Sequence, residues 1–248
     1  MRRFLDMFAL ASAVALSVIS CAKESENHVN DGQKNRITIT ASLPDELVTK
    51  VKFEAGESVI KPSWEQTDVI RIISETGKSE TYSIKEINGK TATFEGNELE
   101  GASFTAIYPG NYETAEALGN RSYTSQVQMG NGSTAHLQLN AMADGLSDIS
   151  NISFADAGAK LNGAVKLYVK LPEYVTRPKE VSLSAASDVF FTDNAGTAKS
   201  SSLGLSLENV DISVDHIFTA YLMSSWTEAT IEAGTELTLT VKAEGVSI

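Results

Sequence analysis

The chain has 248 residues, of which 42% are hydrophobic, and a formal net charge of −12. That acidic balance excludes nucleic acid and anionic lipid as partners held by charge, because phosphate surfaces are gripped by clustered Lys and Arg. One cysteine excludes an internal disulfide and a cysteine-based metal cluster.

That cysteine ends a leader. Arg2 and Arg3 supply a positive start, Phe8 to Ile19 form an apolar run, and Val18-Ile19-Ser20 place a small residue before Cys21. A charged start, a short apolar stretch and a small residue at the cut are the marks of a secretory signal. The run is shorter than the roughly 20 residues a membrane-spanning helix requires. The junction resembles a bacterial lipoprotein signal: residues 1–20 are removed and Cys21 takes the lipid. Their loss removes two arginines and one aspartate and moves the charge from −12 to −13. Residues 21–35 contain almost no apolar side chains and read as a flexible tether, unable to bury enough surface to offset ordering. Lys23-Glu24-Ser25-Glu26 within it is similar to the acidic signal that sends lipoproteins of Bacteroidota to the outer face, and reads equally as part of an ordinary solvated spacer.

The remaining residues alternate with period two. Ile37, Ile39, Ala41 and Leu43 line one face of a first strand, followed by Phe104, Ala106 and Tyr108, and by a strand over 135–139. Further on come Val165 to Leu171, Val181 to Ala185, Leu203 to Leu207 and Leu237 to Ala243, each apolar at every second position. Side chains two apart share a sheet face, so this spacing predicts half-buried strands. Glu75 to Lys78, Asn88-Gly89, Gly130 to Gly132 and Asp193 to Gly196 supply turn chemistry between them. The best helical candidate, Tyr112 to Leu118, reads as a loop or one turn. The fold class is therefore all-β, built as antiparallel sandwiches. A composition shift over 140–163 places a domain boundary near 140–150, giving an N-terminal sandwich over 36–145 and a C-terminal one over 146–248. Glu244 to Ile248 fall where a turn and further strands are expected, so the second sandwich reads as incomplete.

Catalytic chemistry is poorly represented. His28, His136 and His216 have no histidine or cysteine at ligand spacing, so neither a metal nor a catalytic site is assigned, and no cofactor is implied. There is no Gly-x-Ser-x-Gly elbow and no phosphate-binding loop. No pair of carboxylates stands out as an acid–base couple. Asp193-Asn194-Ala195-Gly196 is explained by a hairpin turn, since it lacks the ligand spacing of a calcium loop. Trp64, Trp226 and Tyr112 read either as core aromatics or, if exposed together, as platforms for sugar rings. The second use would make the chain a surface glycan-binding lipoprotein of a nutrient-uptake system.

Trp64, Asp68 and Ile70 in the order Trp-x-x-x-Asp-x-Ile, then Tyr82, Phe94 and the strand from Phe104 to Tyr108-Pro109, resemble the fimbrillin family of Bacteroidales lipoproteins. Lys160 to Leu167, Val181 to Ala185 and Phe218 to Leu222 are similar to the opening strands of that family's second domain. The resemblance spans most of residues 36–243. It implies two tandem transthyretin-like β-sandwiches and a lipid-anchored fimbrial subunit or accessory protein, without enzymatic activity, at the cell outer membrane. It further implies that the first strand, with Ile37, Ile39, Ala41 and Leu43, is removable. The groove left behind would accept a strand from another fimbrial subunit by β-augmentation. Lys50 and Lys52 stand in the following loop where the family's best-known processing route cuts after arginine. An uncleaved, lipid-retaining member suits an anchor or a chain terminator.

Overall fold

Alternation of apolar and polar side chains becomes a protein whose regular structure is almost wholly strand. The computed structural model describes residues 35–44, 62–156, 158–227, 231–244 and 246–247. The leader, Cys21, all of the tether but its last residue, His28, Lys50 and Lys52 lie outside the described residues. Within residues 34–248, which form one unit, a single five-residue helix is the only helix among the described residues. None of the described helix is long and apolar enough to cross a membrane.

Strands β1 (Arg36–Ser42), β2 (Val69–Ser74), β3 (Ser79–Asn88), β4 (Thr91–Asn97) and β5 (Phe104–Tyr108) lead into helix α1 (Ala115–Gly119) and strand β6 (Gln126–Met129). The helix falls at the end of the Tyr112 to Leu118 segment read as a loop or one turn, and the Thr114 hydroxyl caps it by accepting from the Ala117 N–H at 3.0 Å. Strands β7 (Ala141–Leu146), β8 (Asn151–Ser153) and β9 (Lys160–Leu161) then return. Together they make an eight-stranded sheet in the order β8-β1-β4-β3-β2-β5-β7-β9, which omits β6. Ile152 of β8 and Ala143 of β7, from strands near opposite ends, share one core with central Phe94. The sheet therefore curls upon itself, so that one face encloses its own hydrophobic interior. The composition shift at 140–163 is where three of these strands lie.

Inside this core Trp64 meets Phe94 and Tyr108 edge-on, with ring centroids 5.2 and 5.1 Å apart. Its indole N–H donates to the Lys90 carbonyl at 2.9 Å, which satisfies the polar end of a buried aromatic. Gly96 on β4 is required by packing: a Cβ there would stand 2.5 Å from the Tyr82 ring, which covers the strand at that point.

The second half supplies β10 (Gly163–Lys170), β11 (Pro178–Ala185), β12 (Phe190–Phe191), β13 (Lys199–Ser200), β14 (Ser202–Glu208), β15 (Ile217–Ser224), β16 (Leu237–Ala243) and β17 (Val246–Ser247). A five-stranded sheet β17-β16-β11-β14-β6 and a two-stranded sheet β10-β15 enclose a second core containing Leu167, Val181, Leu205, Phe218 and Leu222. Every alternating strand named from sequence is present except one. Residues 135–139 form no strand; the Leu137 N–H turns back to the Thr134 carbonyl at 2.9 Å, and the His136 ring bonds the Tyr221 carbonyl. The segment thus meets β15 through a side chain and not through backbone pairing.

Strand β6 inverts the expected pattern. Val127 and Met129 are exposed, while Gln126 and Gln128 are buried. β6 pairs in parallel with β14 in the larger sheet, and its glutamine side chains cross to the free edge of β15 in the smaller one. The Tyr221 and Met223 N–H groups donate to the Gln128 and Gln126 amide oxygens at 3.0 and 2.6 Å. The amide nitrogens donate in return to the Thr219 and Met223 carbonyls at 2.9 and 3.1 Å. Asn131 continues the ladder by accepting from the Thr219 N–H and donating to the Ile217 carbonyl. Side-chain amides thus stand in for a missing strand and satisfy backbone groups that would be costly to leave bare.

Candidate strand-exchange site

The first strand is built from β-branched residues at alternate depths, the composition that suits a half-buried pleat. Ile39, Ala41 and Leu43 are 1%, 0% and 4% exposed, and Ile37 is partly buried against the same core. Arg36, Thr38 and Thr40 take the other face, where Arg36 forms an ion pair with Glu95 at 3.2 Å. All four residues singled out on this strand therefore share one face.

The strand is bonded on both sides. Along one edge it runs antiparallel to β4, with Arg36 opposite Asn97 and Ser42 opposite Thr91. Along the other it runs parallel to β8, with Thr40 opposite Asn151 and Ser42 opposite Ser153. The Thr40 N–H donates to the Ser150 carbonyl at 2.8 Å, and the Phe154 N–H donates to the Ser42 carbonyl at 3.0 Å. Leu43 closes the end by donating to the Lys90 carbonyl at 2.9 Å. Taking β1 away would bare the backbone of β4 along its length and that of β8 along three residues, above a core containing Phe94, Ile152 and Phe154. Such a slot can receive an extended strand by main-chain pairing, with apolar side chains entering at every second position. The pairing with β8 escaped the sequence reading, although Ile152 and Phe154 carry the same alternation inside the composition shift.

Tyr82 lies in the wall of this core, and its hydroxyl donates to the Asn97 carbonyl at 2.7 Å. Burial, with lesser pressure from Glu80 and Glu98, pushes its pKa from 10.0 up to about 12. Burial likewise pushes Tyr123 of the second core from 10.0 up to about 12. Below pH 10 both phenols are protonated whether the chain is folded or not, so their contribution to stability is complete. It is lost as the pH climbs from about 10 through about 12, because the unfolded chain ionises first. Absorbance at 295 nm should therefore show Tyr82 and Tyr123 ionising only above pH 10, together with a cooperative loss of near-ultraviolet dichroism. All seven tyrosines titrating in one step near pH 10, with the fold intact, would contradict this.

The remaining sequence candidates are scattered. Trp64 is buried, whereas Trp226 and Tyr112 pack half-buried on a separate small cluster of Ile107, Leu118 and Met142. The three aromatics do not form one accessible face. Asp193 caps its own turn by accepting from the Thr197 and Ala198 N–H groups at 2.9 and 3.1 Å, as a hairpin requires. Glu75 is held below the usual carboxylate range by the Ala102 and then the Ser103 N–H, which also makes it a loop acceptor. No group of three potential metal-ligating side chains occurs among the described residues. No family model matches the chain, and no significant match exists among the curated proteins or the solved structures.

Proposed function

We propose that this chain is a lipid-anchored subunit or accessory protein of a fimbria, held at the cell outer membrane through Cys21 and joined to other subunits by strand exchange at β1. In this reading the two cores belong to two transthyretin-like sandwiches, and the protein works by assembly rather than by catalysis. The observation that carries it is the position of β1. A strand bonded on both edges, plugged into the core by Ile39, Ala41 and Leu43, leaves on removal a slot shaped for another strand of the same alternation. The motifs around Trp64 and Tyr108, together with the leader ending at Cys21, support the family assignment on which the fimbrial role rests.

One experiment addresses both halves. The protein is isolated from its host surface for mass spectrometry, alongside a chain lacking residues 36–43. The intact protein should carry acyl groups on Cys21. The shortened chain should self-associate and be returned to monomer by a synthetic peptide spanning residues 35–44. Strand exchange is refuted if the shortened chain stays monomeric and ignores the peptide; anchorage is refuted by a native polypeptide free of lipid.

A further inference from the structure

Apart from the strand slot, the described residues line an open polar cavity of about 600 Å³, bounded by Ser63, Asp68, Tyr108, Arg121, His136 and Gln138 among others. Its size falls within the roughly 300–1,000 Å³ of small-molecule sites. Two of its side chains carry buried polar atoms with no partner, the Arg121 Nε and the His136 Nδ1. Buried groups of this kind are nearly always satisfied, so two in the lining of one cavity mark a place where something else binds.

The polarity of each group can be read. The His136 Nε2 lies 2.8 Å from the Tyr221 carbonyl, which can only accept, so Nε2 carries a proton and Nδ1 is the acceptor in that tautomer. The Arg121 Nη1 donates to the Tyr112 hydroxyl at 3.1 Å and to the Gln138 amide oxygen, which leaves Nε–H as a free donor. With its oxygen committed, Gln138 presents its NH₂. Asp68 accepts from the Glu65 N–H at 2.7 Å and retains further lone pairs. Ser63 supplies a hydroxyl that can do both. Tyr108 adds an aromatic surface held from behind by the Trp64 ring.

Donors and acceptors alternate around this cavity beside an aromatic ring. The lining balances one guanidinium against the carboxylates of Asp68 and Glu65, so a bound anion would meet a net negative site. We propose that the cavity binds a neutral polyhydroxylated ligand, a saccharide whose hydroxyls each donate and accept. Of the four residues assigned to the strand-exchange strand only Leu43 reaches the lining, and the polar groups named above all come from other segments.

The test is an array of neutral, sialylated and sulfated glycans probed with the full chain, with hits titrated by calorimetry. His136→Phe, which removes the acceptor, should weaken binding about tenfold or more. Ser63→Trp, at an exposed rim position, should abolish binding without disturbing the fold, and so keeps the test decisive if the His136 variant misfolds. The expected result is retention of at least one neutral saccharide that Ser63→Trp eliminates. Retention of no neutral glycan, preference for the acidic ones, or binding indifferent to Ser63→Trp would each overturn the proposal.

Discussion

Aspartate in place of Ile39 should abolish cooperative unfolding of the first core, while lysine in place of Thr38, one residue away, should leave it intact. Ile39 is 1% exposed, and its side chain enters the core shared with Phe94 and Trp64. Losing that burial costs about 2–3 kcal/mol. The new carboxyl must then either ionise in an apolar interior or stay protonated far above its usual pKa, which adds several kcal/mol. The total of at least ~5 kcal/mol rivals the whole stability of an ordinary domain. Thr38 faces outward opposite Glu95, where a lysine gains a cross-strand partner and changes stability by no more than about 0.5 kcal/mol. Urea titration followed by the near-ultraviolet signal of Trp64 separates the two. A peptide of residues 35–44 added to the Ile39→Asp protein should restore the transition if β1 can be supplied from outside. Equal behaviour of the two variants would mean that β1 does not plug this core.

Replacing both Gln126 and Gln128 with leucine should be nearly as damaging, although leucine is the more hydrophobic residue at two buried positions. Gln128 alone satisfies the Tyr221 N–H, and Gln126 alone satisfies the Met223 N–H. The Thr219 carbonyl keeps a second donor in the Gly132 N–H at 2.9 Å, so the loss falls chiefly on the two amides of β15. Each orphaned donor costs about 1–3 kcal/mol, and the double variant therefore about 2–6 kcal/mol. It should also free the edge of β15 for pairing with other molecules and raise aggregation on storage. Val127→Ala and Met129→Ala, on the exposed face of the same strand, should stay within about 0.5 kcal/mol of the parent. Chemical denaturation with light scattering measures both effects. A double leucine variant as stable and as monomeric as the parent would show that the amide ladder is ornamental.

Much of this architecture was open to reading from the chain alone. Ile37 to Leu43, Val165 to Leu171 and Leu203 to Leu207 repeat apolar side chains at every second position, and a pleated strand turns that spacing directly into a buried face. Turn residues were equally legible: Gly77, Gly89, Gly130 and Gly196 all take positive φ, a conformation that side chains resist. The four residues of the candidate slot were readable for the same reason.

What lay beyond reach depends on neighbours far away in sequence. Gln126-Val127-Gln128-Met129 alternates as cleanly as any other strand, yet its polar face is the buried one. The free backbone edge of β15, almost 100 residues later, sets that preference. The second partner of β1, the curl that lets eight strands share one core, and the cavity between Asp68 and His136 are likewise products of distant segments meeting. Local spacing determined which residues form strands and which face of most of them is apolar. Only the tertiary structure decided where each edge finds its hydrogen bonds, because an unpaired backbone group is satisfied by whatever the fold brings beside it.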